Sequence, residues 1–142
     1  MQTVNSFSFL ILLAMQYLNV PYIYGGNNPL IGIDCSALVQ LPLRKLKVIR
    51  DYDHSAQMIY DDLIKNDYVS SEPEMDCILF FGRSVDRISH IAIALNEELM
   101  IEAASGGPKV TLEQHAIAKQ AKVEFNRIDR RNDLVASIKV TY

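Results

Sequence analysis

Cysteine, histidine and excess basic charge are all scarce in this chain, and each shortage closes off a class of function. Two cysteines, Cys35 and Cys77, stand among 142 residues, too few for a disulfide framework. Both are expected to be reduced, and Cys77, in the apolar run CILFF, reads as a core residue. The three histidines and two cysteines fall at no zinc-site spacing, so neither a structural metal nor any other cofactor is expected. A formal net charge of −3 argues against a nucleic-acid partner. The short basic cluster from Arg44 to Lys47 reads as the solvated end of a helix, where cations suit the dipole. Long apolar runs are missing too. Residues 7–15 are too short to span a bilayer, have no basic residue before them and no clear small-residue cleavage site after them. They read as a buried amphipathic helix, so the expectation is no membrane span, no signal peptide and a protein that is cytoplasmic as synthesised. Repeats, linkers and low-complexity segments are absent as well. With 49% hydrophobic residues, residues 1–142 read as a single domain able to bury a core.

What the chain does have is organised around residues 22–40, YIYGGNNPLIGIDCSALVQ. Gly25-Gly26 and Asn28-Pro29 are turn punctuation, so a helix starts no earlier than Ile33. Asp34 is a good N-cap, because its carboxylate can accept from a free N–H of the first turn. Cys35 then falls at the first turn of the helix, where the dipole and unpaired N–H groups favour a thiolate and lower the thiol pKa. Such a position suits a nucleophile. A small buried cysteine in a first turn is also a common structural event, so the position alone does not decide.

Periodicity places helices over residues 5–18, with Asn5 or Ser6 as cap, over 34–46, with Pro42 forcing a kink or an early end, and over 53–66, with Asp53 as cap. The character then changes. Residues 76–81 read as a strand buried on both faces, 89–95 and 98–103 as a hairpin, 112–120 as a short helical excursion, and 122–128 and 134–140 as closing strands. Residues 105–108 read as a loop, and Val110 as the start of a short strand. Helices first and strands afterwards give an α+β fold, with N-terminal helices on an antiparallel sheet.

A nucleophilic cysteine needs a base. In the alternating strand HIAIAL, His90 shares a face with Ala92 and Ala94, and these small neighbours leave room for the start of a packed helix above them. Glu102, on the next strand, is placed to accept the imidazole N–H, fix its tautomer and favour an imidazolium–thiolate pair. His54 and His115 read as solvent-facing or capping residues.

The order PYIYGG, G-x-DCSALVQ, DCILFF, SHIAIAL and MIEA-x-SGG resembles the NlpC-type peptidoglycan cysteine peptidases, over about residues 15–107. The resemblance implies a papain-like fold with the nucleophilic cysteine at a helix N-terminus. It implies Cys35 as nucleophile, His90 as base and Glu102 as the third member, with Tyr22 polarising the scissile carbonyl beside the Cys35 N–H. Asp34 and Ser36 flank the nucleophile in the oxyanion and substrate region, while residues 55–57 and Asp76 match structural positions. Two departures stand out. Ala37 replaces the usual Gly, which suits a helix interior. Glu102 stands where His, Asn or Gln is usual, adding a negative charge beside the base.

The implied activity is hydrolysis of an amide bond in the peptidoglycan stem peptide, of the γ-D-glutamyl-diamino acid endopeptidase type, with peptidoglycan or muropeptide as partner. A phage particle or a delivery partner is the expected setting. Two alternatives stay open: an acyltransferase or amidase on a non-wall substrate, and a catalytically silent interaction module such as a phage tail component. The strands beyond Lys122 lie outside the firm resemblance and are read as a surface available to a partner.

Overall fold

The computed structural model describes residues 8–104 and 107–142. Helix α1 runs over Phe9–Met15, α2 over Cys35–Lys45, α3 over Ala56–Lys65 and α4 over Glu113–Lys119. The strands are β1 (Asn27–Asn28), β2 (Gly32–Ile33), β3 (Cys77–Gly82), β4 (Ile88–Ala94), β5 (Leu99–Ala104), β6 (Lys122–Arg127) and β7 (Leu134–Lys139), with a 3-10 turn at Ile128–Arg130 between the last two. Strands β3 to β7 form one antiparallel sheet in the order β6-β5-β4-β3-β7, and β1 and β2 form a separate small hairpin. This is the expected α+β architecture. The two closing strands are integral to it, since β6 pairs with β5 and β7 with β3.

Local chemistry sets the helix boundaries. The first helix is shorter than its apolar pattern. Ser8 caps it by accepting from the Ile11 N–H at 3.0 Å, and it ends at Met15. The expected caps Asn5 and Ser6 lie outside the described residues. The Ser8 hydroxyl also bonds the Asp76 carboxylate and lies 3.2 Å from the Tyr142 hydroxyl, tying α1 to the far end of the chain. Helix α2 starts as its cap predicts but continues past Pro42 to Lys45. Pro42 is buried within it, so packing outweighs the roughly 3 kcal/mol that an interior proline costs. Helix α3 starts at Ala56 because Ser55, not Asp53, accepts from the first turn. Asp53 instead accepts from the Gln40 side chain at 2.9 Å. Val110 joins no strand; it is buried, and its carbonyl accepts from the Tyr24 N–H.

The sheet has two unequal apolar faces. On one, Ile78, Phe80, Ile91, Ile93, Ile101 and Val123 pack with Leu38, Leu43, Ile59 and Leu63 of the helices. On the other, Cys77, Leu79, Phe81, Ala92, Ala94 and Met100 form a smaller cluster closed by Ile128. This corrects one expectation. Helix α2 packs on the isoleucine side of β4, and the alanines that were to leave room for it lie on the opposite side. Alternation along a strand sorts residues into two faces without saying which face a helix covers. Among the described residues no helix is long and apolar enough to cross a membrane.

The segment leading into α2 is folded back tightly on itself. Tyr22 bridges Ile33, and the Asp34 N–H donates to the Gly26 carbonyl at 3.0 Å. A Cβ on Gly26 would lie 2.5 Å from the Gly32 carbonyl oxygen and 2.9 Å from that of Ile23. Glycine is therefore required by close backbone approach. Gly26→Ala is expected to cost about 1–3 kcal/mol, the range for forced overpacking, read by urea denaturation.

Candidate active site

The start of α2 is built as its sequence dictates. The Asp34 carboxylate accepts from the Ala37 N–H and from the Ser36 hydroxyl, both at 2.9 Å. Asp34 and Ser36 therefore hold the helix start, and neither lines the adjacent cleft. That cleft, about 340 Å³, is lined by Tyr22, Tyr24, Cys35, His90, Arg130 and Arg131 among others. Tyr22, Cys35 and His90 thus come together from three separate elements. Glu102 stands behind His90, fully buried.

Strands β4 and β5 are paired at Ile93–Ile101 and Ala94–Met100, with no paired rung between those and the His90 end of β4. Just beyond the last rung, the Ile91 backbone N–H faces the sulfur of Cys35 and favours its charged form. Burial pushes the Cys35 thiol up to about 12, and the Asp34 carboxylate adds to the rise. The backbone N–H groups of Ile91, Ser36 and Cys35 pull the other way without prevailing. The lowered thiol pKa expected from the helix dipole is therefore not what the folded site produces. Desolvation of the charged form outweighs the dipole. Burial also raises the Tyr22 phenol, with Cys35, Asp34 and Tyr24 contributing, so Tyr22 keeps its O–H as a donor.

His90 Nε2 lies 2.6 Å from Glu102 Oε1. The other carboxylate oxygen accepts from Arg130 Nε at 2.5 Å and from the Asn126 amide at 2.8 Å. Burial alone would raise the Glu102 carboxyl. The bonds from His90 and Arg130, the nearby imidazole charge and the Asn126 amide outweigh it and hold it at about 2. An ionised Glu102 can only accept, so Nε2 carries the proton toward it and Nδ1 is the nitrogen able to take another. The Phe81 ring packs against His90 at 5.6 Å, and Arg131, bonded to Asp133, lies over Phe81 at 5.1 Å.

Sequence reasoning missed Asn126, Arg130 and Arg131. The only available signal was the dense run RIDRRND directly after a strand. The other histidines stay outside the site. His54, expected near solvent, is buried; it bonds the Tyr52 carbonyl and Asp62 and stacks on Tyr52. His115 is half-buried and accepts from the Thr111 and Leu112 N–H groups. Gln57 ties α3 to the start of β4, bonding the Val85 carbonyl and the Ile88 N–H. Cys35 and Cys77 are both free. Among the described residues, no three His, Cys, Asp or Glu side chains are grouped to hold a metal ion.

Two pH dependences follow. In a Cys77→Ser background, alkylation of Cys35 by iodoacetamide is expected to show its midpoint well above that of a free thiol, about 8.5. Glu102 has a depressed folded-state pKa, so its contribution to stability is complete above its unfolded value of 4.5 and is lost as pH falls through about 2. The difference in Tm between the native chain and Glu102→Gln is expected to be largest above that window and to shrink across it.

The NlpC/P60 family model matches residues 19–127. Dipeptidyl-peptidase 6 of Lysinibacillus sphaericus is 31% identical over 113 residues, which cover 75% of this chain and 37% of that protein. The chain thus spans little over a third of the length of this curated relative. Among solved structures, the fold is similar to the NlpC/p60 domain of the peptidoglycan hydrolase SagA, with a TM-score of 0.68 and 19% identity over 96% of this chain and 100% of that one. It is also similar to the P60 domain of an antigen from M. avium subspecies paratuberculosis, with a TM-score of 0.66 and 18% identity over 94% of each chain. The chain belongs to the NlpC/P60 family.

Proposed function

We propose that this NlpC/P60 chain is a cysteine hydrolase that cleaves an amide bond in the peptidoglycan stem peptide, of the γ-D-glutamyl-diamino acid type. The observation that carries the reading is the cleft itself. A thiol at a helix start and an imidazole backed by a buried carboxylate line one wall-to-wall cavity, beside a tyrosine that keeps its proton. The substrate class rests on the family and on the peptidase and peptidoglycan hydrolase named among its relatives.

With the thiol protonated at rest, the reaction begins by general base catalysis. His90 Nδ1 takes the Cys35 proton as the sulfur attacks the scissile carbonyl. The developing oxyanion is met by the backbone N–H of Cys35 and the Tyr22 hydroxyl. His90 then returns the proton to the leaving amine as the C–N bond breaks, leaving a thioester on Cys35. Water, deprotonated by His90, attacks the thioester; the acid product leaves and the thiol regains its proton. Glu102 keeps Nε2–H engaged throughout, so Nδ1 remains the working nitrogen.

Digestion of a defined muropeptide panel, read by mass spectrometry, tests the assignment. The expected result is one cleaved amide bond, with Cys35→Ala and His90→Ala each lowering kcat/KM by about a thousandfold or more. Tyr22→Phe, which removes a donor and little packing, is expected to cost about ten- to a thousandfold in kcat. A native chain that leaves every muropeptide intact would sink the proposal.

A further inference from the structure

The Glu102 carboxylate is 0% exposed and sits 2.6 Å from the imidazole it orients. A full negative charge so close would hold a proton on His90, and a doubly protonated imidazole has no lone pair with which to take the Cys35 proton. A carboxylate in this position needs an answering charge, and the structure supplies one. Arg130 donates through Nε to the Glu102 oxygen that does not face His90. Its side chain is 37% exposed and reaches the carboxylate from the cleft wall.

We propose that Arg130 is a positioning residue of the site: its guanidinium holds the Glu102 carboxylate in place and cancels its charge, so that Glu102 orients the His90 ring without trapping it as imidazolium. The remaining groups around His90 do not fill this role. Arg131 is spent on Asp133 by two bonds. Glu124, across the β5–β6 ladder, adds a further negative charge and shares the Asn126 amide with Glu102. From α2 and the segment before it, Cys35, Tyr22 and Tyr24 face the cleft; Cys35 and Tyr22 are held in their neutral forms by burial. Arg130 is the cation bonded to Glu102, and removing it leaves a buried carboxylate whose nearest ionisable partner is the catalytic base.

The role in catalysis rests on the hydrolase reading above, but the charge balance is measurable without a substrate. The midpoint of His90 is followed by NMR on ring-labelled histidine, assigned by its absence in His90→Asn. Arg130→Gln is expected to raise that midpoint by about one pH unit relative to the native chain, and Arg130→Lys, which keeps the charge, to stay within about 0.3. Glu102→Gln alone leaves the Arg130 charge unanswered and should lower the midpoint further than Glu102→Gln combined with Arg130→Gln, which removes both charges. On a cleaved muropeptide, the acid limb of kcat/KM should move up with Arg130→Gln. Activity would fall on the acid side, by at most about tenfold for a one-unit shift, and recover toward higher pH, whereas loss of structure alone would lower it at every pH. An unmoved His90 midpoint in folded Arg130→Gln overturns the proposal. Should that variant not fold, a double variant whose midpoint equals that of Glu102→Gln alone overturns it instead. If the midpoints move as expected while no muropeptide is cut, the charge balance stands and the hydrolase reading fails.

Discussion

The Glu102 carboxylate accepts from His90 on β4, Asn126 on β6 and Arg130 in the turn that follows, and it is itself on β5. Four pieces of the fold are thus joined at one buried anion. A carboxylate without solvent would be severely destabilising if any of these donors were missing, so the three bonds are a condition of its burial as much as a product of it. The orientation of the base follows from this junction. The side of the sheet that carries it is closed by the small cluster around Phe81 and Ile128, in which Phe81 packs against His90.

The nucleophile is placed by a separate set of constraints. Gly26 and Gly32 let the chain double back, Asp34 caps the helix, and the first turn delivers Cys35 to the N–H of Ile91. The sheet cooperates by leaving β4 and β5 unpaired toward the His90 end. A continuous ladder would close this end of β4 against its neighbour. The site therefore depends on an interruption in regular structure, flanked by parts that are individually ordinary.

Much of this was legible in the residues. The Asp34 cap, the position of Cys35, the alternation around His90 and the carboxylate twelve residues on all follow from local rules that act within one turn or one strand. The parts that were not legible depend on which elements meet. Ala92 and Ala94 said that one face of β4 is small, but the larger isoleucine face is the one that covers more area, and the helices took it. Arg130 lies 28 residues from Glu102 in a charged segment that reads as solvated loop, and nothing in its local pattern distinguishes it from Arg127 or Arg131. The dipole argument for a reactive thiol is partial for a similar reason. It weighs the helix by itself, whereas desolvation by the surrounding molecule pushes the Cys35 thiol up.

The interior strand β3 has every residue buried and is flanked by β4 on one edge and β7 on the other. Its second neighbour comes from residues 134–139, more than fifty positions later. During synthesis the strand is thus made long before the partner that covers its second edge. Any chain in which β7 has not yet docked presents the apolar CILFF segment with a row of unpaired backbone groups, the arrangement that templates pairing with another chain. For the newborn protein, the hazard lies in that open edge, and docking of β7 is the event that ends it.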